Sequence, residues 1–241
     1  MPLLTLNHLQ YSVGGPPLLD HVDLAIEAGE RICGQEIAMD TVIETASRRR
    51  TLSDKPATPI LFAHFVLRSS NVQPMIDWYS AVLNMRIVQR TDYICFLTYD
   101  DEHHRLGIVN LAGLKAPDAK TSGLAHVAYT FSDIGALLST WRRVKALGIE
   151  PSRCIHHGPT VSIYYRDPDG NGVELQVDRY PTKEATAAYF QTEAFRKNPI
   201  GVAFDPEALV KAYEAGAPES ELLDMPDGPP APPQSAPGKG A

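Results

Sequence analysis

The stretch from Ile155 to Glu174, Ile-His-His-Gly-Pro-Thr-Val-Ser-Ile-Tyr-Tyr-Arg-Asp-Pro-Asp-Gly-Asn-Gly-Val-Glu, constrains the chain more than any other. Thr160 to Tyr165 is a β-branched and aromatic run, Asp167 to Asn171 is loaded with turn formers, and Gly172 to Val177 resumes as strand. The segment therefore reads as a hairpin. Side chains alternate faces along a strand, which puts Ser162 and Tyr164 on one side. The turn returns Glu174 onto the paired strand near the histidines before Pro159, so imidazole, phenol and carboxylate can meet over one sheet face. Those groups make up a metal site and its surroundings. A good turn followed by a solvated edge glutamate accounts for the same residues without any function, so this stretch alone does not decide.

The rest of the chain adds a repeat. Phe62-Ala63-His64-Phe65-Val66 precedes a polar cluster and a helical pattern, and Leu124-Ala125-His126-Val127-Ala128 does the same about sixty residues later. The spacing predicts a helix over Val72 to Leu83, with Val72, Ile76, Tyr79 and Leu83 on one stripe, and a second over Asp133 to Leu147, with Ile134, Leu137, Leu138, Trp141 and Val144. Strands are expected at Arg86 to Gln89, Tyr93 to Tyr99 and Leu106 to Leu111, then at Glu150 to His156, Thr160 to Tyr165 and Val173 to Asp178. The order strand, helix, strand, strand, strand occurs twice, which predicts an α+β fold of paired βαβββ modules forming a curved mixed sheet over residues 58–180. Trp78 and Trp141 read as packing residues, as do Cys95 and Cys154.

Composition limits the partners. A formal charge of −7 argues against nucleic acid, whose phosphates call for clustered Lys and Arg. No apolar run reaches the ~18 residues of a membrane span, and the N-terminus lacks the charged and apolar regions of a secretory leader. An odd count of three cysteines, without paired metal spacing, fits reduced thiols. A cytoplasmic protein is expected, with no membrane partner.

Outside the repeat, residues 1 to about 32 read as short strands around a Gly14-Gly15-Pro16-Pro17 turn. Leu18-Leu19-Asp20-His21-Val22-Asp23-Leu24 and Ala28-Gly29-Glu30-Arg31-Ile32 resemble the opening strands of ATP-binding cassette proteins. No G-x-x-x-x-G-K-[ST] follows, so ATP binding does not carry over. Residues 1–57 are taken as a fragment and linker of unknown function. Residues 181–223 form a C-terminal extension, with helices expected at Lys183 to Phe195 and Pro206 to Ala215. The tail 224–241, rich in Pro, Gly and Ala, is expected to be disordered.

Each module opens with a histidine in the same register, His64 and His126, and Glu174 lies on the last strand of the second. Two imidazoles and one carboxylate on one face, with other positions open, form the set that holds non-haem Fe(II). Ile155, His157, Ile163, Tyr164, Asp167, Pro168, Gly170 and Glu174 also fall at the spacing of a signature on the last strands of the vicinal oxygen chelate superfamily. Residues 58 to 180 resemble that superfamily and, within it, the type I extradiol ring-cleavage dioxygenases of the 2,3-dihydroxybiphenyl type.

The resemblance implies that His64, His126 and Glu174 bind Fe(II), or Mn(II), and that the substrates are a small aromatic diol and O2. It implies that His104 stands beside the oxygen, polarising it or delivering a proton, while His157 and Tyr164 bind the substrate oxygens. It also implies a homo-oligomer and a place in aromatic hydrocarbon catabolism. Alternation along a strand turns one residue of each pair, His103-His104 and His156-His157, outward; motif spacing favours His104 and His157, with His156 a weaker fit. Tyr189, Phe190, Phe195, Ile200, Val202 and Phe204 either cover the site or cap the sheet edge. The alternatives on this scaffold are a non-catalytic ligand-sequestering module and a glyoxalase- or epimerase-type lyase or isomerase. The latter relatives add a second carboxylate near the end of the first module, where Gly107 to Ala112 offers Asn110 and no acid.

Overall fold

The structure, a computed structural model, describes residues 4–11, 19–26, 55–115 and 122–232. Chain contacts divide the protein after Ile60. In the first part, β1 (Leu4–Tyr11) and β2 (Leu19–Ile26) form an antiparallel pair, with Leu4 opposite Ile26 and Leu6 opposite Leu24. The Gly14 to Pro17 turn, Cys33 and most of the linker lie outside the described residues.

In the second part, β3 (Phe65–Ser69) leads into α1 (Val72–Leu83), whose buried face is Met75, Ile76, Trp78, Tyr79 and Val82. Asn84 ends the helix in the left-handed region at φ 53°, a conformation that asparagine tolerates. Strands β4 (Arg86–Arg90), β5 (Ile94–Thr98) and β6 (Leu106–Asn110) follow, and the sheet runs β3-β6-β5-β4 with β3 parallel to β6. The second module repeats this. It contains β7 (Val127–Thr130), α2 (Ile134–Ala146), β8 (Arg153–His156), β9 (Thr160–Arg166) and β10 (Gly172–Asp178), with β7 parallel to β10. Asp133 caps α2 by accepting the Ala136 N–H. The fold is α+β, two βαβββ modules with mixed sheets.

One apolar core joins the modules, drawing on α1, α2 and the inner sheet faces, and it includes both tryptophans, Cys95 and Cys154. Each large apolar side chain buried there contributes about 1.5–3 kcal/mol. Two polar links add to it. The Arg143 guanidinium of α2 donates to the Ala81 and Val82 carbonyls, placing a cation at the C-terminus of α1, where free carbonyls and the helix dipole favour it. The Tyr79 hydroxyl of α1 donates to Asp167 at 3.1 Å. Asp167 is itself buried and accepts the Asp169 N–H, the Asn171 N–H and the Asn171 side-chain amide, so it pins the β9–β10 turn from inside.

The C-terminal extension departs from expectation in two places. The helix expected over Lys183 to Phe195 is two, α3 (Lys183–Tyr189) and α4 (Glu193–Lys197). Thr192 divides them: its hydroxyl donates to the Tyr189 carbonyl and accepts the Phe195 N–H, which ends one helix and caps the next. Strand β11 (Val202–Ala203) then adds to the edge of β8, and α5 (Pro206–Glu214) and α6 (Glu219–Leu222) follow.

The second departure is in the tail, whose described residues, 224–232, pack onto the domain. Pro230 bridges to Val202, the Ala231 N–H donates to the Gly201 carbonyl at 2.7 Å, and Ala231 is buried beside Ile155 and Tyr164. Composition understates such a segment, because an existing strand edge supplies its hydrogen-bond partners. No helix among the described residues is long and apolar enough to cross a membrane.

Candidate active site

Glu174 stands directly across the β9–β10 ladder from Tyr164, and Ala128 of β7 flanks it on the other side. The segment carrying His126 comes down onto β10 at Gly172, where a Cβ would lie 2.2 Å from the Ala125 carbonyl oxygen and 3.0 Å from the His126 Cβ. Only glycine permits that approach. His126 Nε2 is 3.0 Å from Glu174 Oε2, the Tyr164 hydroxyl is 2.8 Å from Glu174 Oε1, and His157 Nε2 is 2.7 Å from the Tyr164 hydroxyl. His157 Nδ1 lies 2.6 Å from the Ile200 carbonyl.

These contacts fix a proton count. A carbonyl only accepts, so His157 Nδ1 carries the hydrogen and donates to Ile200. Neutral His157 then presents a lone pair at Nε2, and the one hydrogen of Tyr164 serves either His157 or Glu174, not both. A further proton on His157 completes the run: His157 donates to Tyr164, which donates to Glu174.

Burial sets the titration of these groups. Burial by itself raises the pKa of Glu174, but hydrogen bonds from His126, Ser162 and Tyr164 outweigh it and hold the carboxyl below its ordinary range. Tyr164 is pushed up by burial and by the Glu174 charge, so the phenol stays protonated. His157 is lowered, chiefly by burial, against the opposing pull of the Ile200 carbonyl and Glu174. The site thus pairs an ionised carboxylate with a neutral imidazole.

The two His-His pairs behave differently. Of His156 and His157, the first turns away: it is buried, its Nε2 meets the Leu223 carbonyl at 2.8 Å, and its Nδ1 accepts the Gly158 N–H at 3.1 Å. His103 and His104 both lie on the bend between β5 and β6, so strand alternation does not separate them. Their Nδ1 atoms are 2.6 Å apart. The His104 ring is half-buried between Phe96, at 4.4 Å between centroids, and His64, at 4.2 Å. Burial lowers the pKa of His104, and the neighbouring His64 and His103 lower it further.

The six site residues therefore fall into two groups. His126, Glu174, Tyr164 and His157 are joined in one run. His64 stands with His103 and His104, the one set of three or more His, Cys, Asp or Glu side chains among the described residues whose donor atoms lie within 4.8 Å of one another. His64, His126 and Glu174 do not form such a set; the His64 ring lies instead against that of His104. The His126–Glu174 pair nonetheless suits a divalent ion. Its 3.0 Å separation equals the edge spanned by two bonds of about 2.1 Å at a right angle. His126 Nδ1 is buried without a hydrogen-bond partner, and the carboxylate is ionised. Asn110, at the end of β6, donates its side-chain amide to the Asp92 carbonyl at 3.0 Å.

Several contributors carried no sequence signal. The Arg153 guanidinium lies 4.2 Å from the Tyr164 ring centroid. Arg105 pairs with Asp100 and donates to the Phe62 and Ala63 carbonyls at 2.7 and 3.0 Å, holding the segment that ends in His64. The Ile200 carbonyl is backbone and so invisible to residue-type reasoning. Gly201 marks it: at φ 99°, a Cβ there would lie 2.1 Å from the His156 carbonyl oxygen.

Residues 61–175 match the Glyoxalase/Bleomycin resistance protein/Dioxygenase superfamily, and the chain belongs to that family. It is 45% identical over 167 residues to biphenyl-2,3-diol 1,2-dioxygenase 3 of Rhodococcus globerulus, covering 68% of this chain and 87% of that protein. Biphenyl-2,3-diol 1,2-dioxygenase 2 of the same organism is 43% identical over 167 residues, covering 69% of this chain and 87% of that protein. Among solved structures, lactoylglutathione lyase from Agrobacterium tumefaciens has a TM-score of 0.41 at 20% identity, over 50% of this chain and 96% of that one.

Proposed function

We propose that the protein is an Fe(II)-dependent extradiol dioxygenase that opens a catechol-type ring beside its hydroxyl pair and inserts both atoms of O2, with His64, His126 and Glu174 as metal ligands. The observation that carries this reading is the joined run His126–Glu174–Tyr164–His157, in a chain 45% identical to a biphenyl-2,3-diol 1,2-dioxygenase. The relatives' names point to an aromatic diol, and a bicyclic one is the first substrate to try.

Fe(II) held by these ligands supplies Lewis acidity toward the diol and electron transfer toward dioxygen, and Mn(II) suits the same donors. The chain's own residues handle the protons. Neutral His157 takes the hydrogen that a catechol hydroxyl gives up on binding, and that proton closes the run through Tyr164 to Glu174. In that state both His157 N–H groups and the Tyr164 hydrogen are engaged within the run, which holds the accepted proton beside the substrate as charge develops during ring opening. His104, whose pKa burial depresses, is assigned the role of a neutral imidazole that polarises dioxygen. To hold the metal with His126 and Glu174, His64 would have to turn from the His104 ring.

The test is turnover with and without oxygen. Protein reconstituted anaerobically with Fe(II) is mixed with biphenyl-2,3-diol, and air is then admitted; the proposal predicts a coloured ring-opened product only after air. Stoichiometric metal with no product from a catechol panel would favour a sequestering protein, and conversion of a substrate without oxygen a lyase or isomerase.

A further inference from the structure

The set His64, His103 and His104 is more than a displaced part of the active site. Its ring centroids lie 4.2 Å (His64–His104), 4.5 Å (His103–His104) and 6.0 Å (His64–His103) apart, and one donor from each ring falls within 4.8 Å of the others. A tetrahedral ion with bonds of about 2.05 Å needs its nitrogens about 3.3 Å apart, a spacing small side-chain turns can reach from here. The surroundings are also those of a ligand set. His103 turns Nδ1 toward the His104 ring and Nε2 toward Glu102, with 3.4 Å to Oε1, the carboxylate-behind-imidazole arrangement that orients and strengthens a metal-binding histidine. Glu102 Oε1 also accepts the His103 backbone N–H at 3.1 Å, which fixes the carboxylate. Phe96 backs the His104 ring, and His103 is open to solvent, so an ion has a route in.

We propose that His64, His103 and His104 form a second, inhibitory cation site for ions such as Zn(II), which withdraws His64 from the His126–Glu174 pair. Three imidazole donors without a carboxylate among the direct ligands favour Zn(II) or Cu(II) over Fe(II), which stands lower in the general affinity order. One histidine cannot serve both sets, so filling the second site empties a ligand position of the first. The effect on activity rests on the function proposed above; the binding of the ion does not.

The experiment separates the two. Glu174→Ala protein, stripped with chelator, is titrated with Zn(II) by calorimetry beside the Glu174→Ala/His103→Ala double variant. One equivalent should bind to the first, and affinity should fall at least about tenfold in the second. In parallel, Fe(II)-loaded wild type and His103→Ala are assayed for ring cleavage over a Zn(II) series. With each rate referred to its own zinc-free value, the variant should need at least about tenfold more zinc for half-inhibition. Equal zinc affinity in the calorimetric pair, or equal zinc sensitivity in the assay pair, overturns the proposal. A retained affinity difference in protein that cleaves no ring supports the second site and tells against the dioxygenase reading instead.

Discussion

Tyr164 and Glu174 face each other across the β9–β10 ladder with 2.8 Å between phenol oxygen and carboxylate, and the same phenol lies 2.7 Å from His157. The phenol therefore couples Glu174, the proposed metal ligand, to His157, the proposed base. Removing only its oxygen should lower turnover more than metal binding. For Tyr164→Phe, we expect kcat to fall about 100-fold, the usual order for a positioned proton-transfer group, with iron content near wild type. Steady-state kinetics alongside metal analysis checks this; loss of iron in the variant would mean that the phenol acts mainly by holding Glu174.

Glu174 itself should show the opposite balance. Glu174→Gln keeps the shape and removes the charge that His126 Nε2 meets at 3.0 Å, so iron should wash out on gel filtration. Activity at stoichiometric Fe(II) should drop by at least about 100-fold. Full iron retention would show that the carboxylate is not a ligand.

Gly201 connects the C-terminal extension to the site. A methyl group there would meet the His156 carbonyl and demand a left-handed conformation from an L-residue, which costs about 1–2 kcal/mol before any clash. The Ile200 carbonyl would then move off His157 Nδ1. For Gly201→Ala we expect a lowered melting temperature, and a KM for the diol that rises more than kcat falls. A stability loss with unchanged kinetics would show that the Ile200 contact does not orient His157.

His156 should make the protein acid-sensitive. Burial, the main cause, lowers its pKa to about 4 against an ordinary 6.5. The unfolded chain therefore binds the proton first, and the stabilisation is complete above about pH 6.5 and lost as the pH falls toward 4. Its size is at most about 3 kcal/mol. Denaturant melts at pH 7.5 and 5 should show this loss in the wild type and less of it in His156→Asn, which cannot titrate. An equal loss in both would assign the acid sensitivity elsewhere.

Much of this arrangement is written in local patterns. Val72 to Leu83 has an apolar stripe and a left-handed stop at Asn84, and α1 spans those residues. The Asp167 to Asn171 turn carries its own hydrogen bonds, so the pairing of Glu174 with Tyr164 follows from residue spacing. Features set by distant partners were less legible. Strand β8 was expected from Glu150 but begins at Arg153, because Pro151 has no N–H and the ladder starts only where Ser152 meets the Tyr164 carbonyl. The ordering of residues 224–232 depends on the β11 edge, and the choice between His156 and His157 on two backbone carbonyls, Leu223 and Ile200. The position of His64 depends on a ring contact with a bend forty residues away, which no periodicity encodes.

The central claim is that His64 leaves the His104 ring and joins His126 and Glu174 on a single ion. Anomalous diffraction at the iron edge, from crystals of the anaerobic Fe(II) protein, tests it most directly. We predict one peak within bonding distance of a His64 nitrogen, a His126 nitrogen and a Glu174 oxygen. A peak on His126 and Glu174 with His64 still stacked on His104, or a peak on neither, would contradict the account.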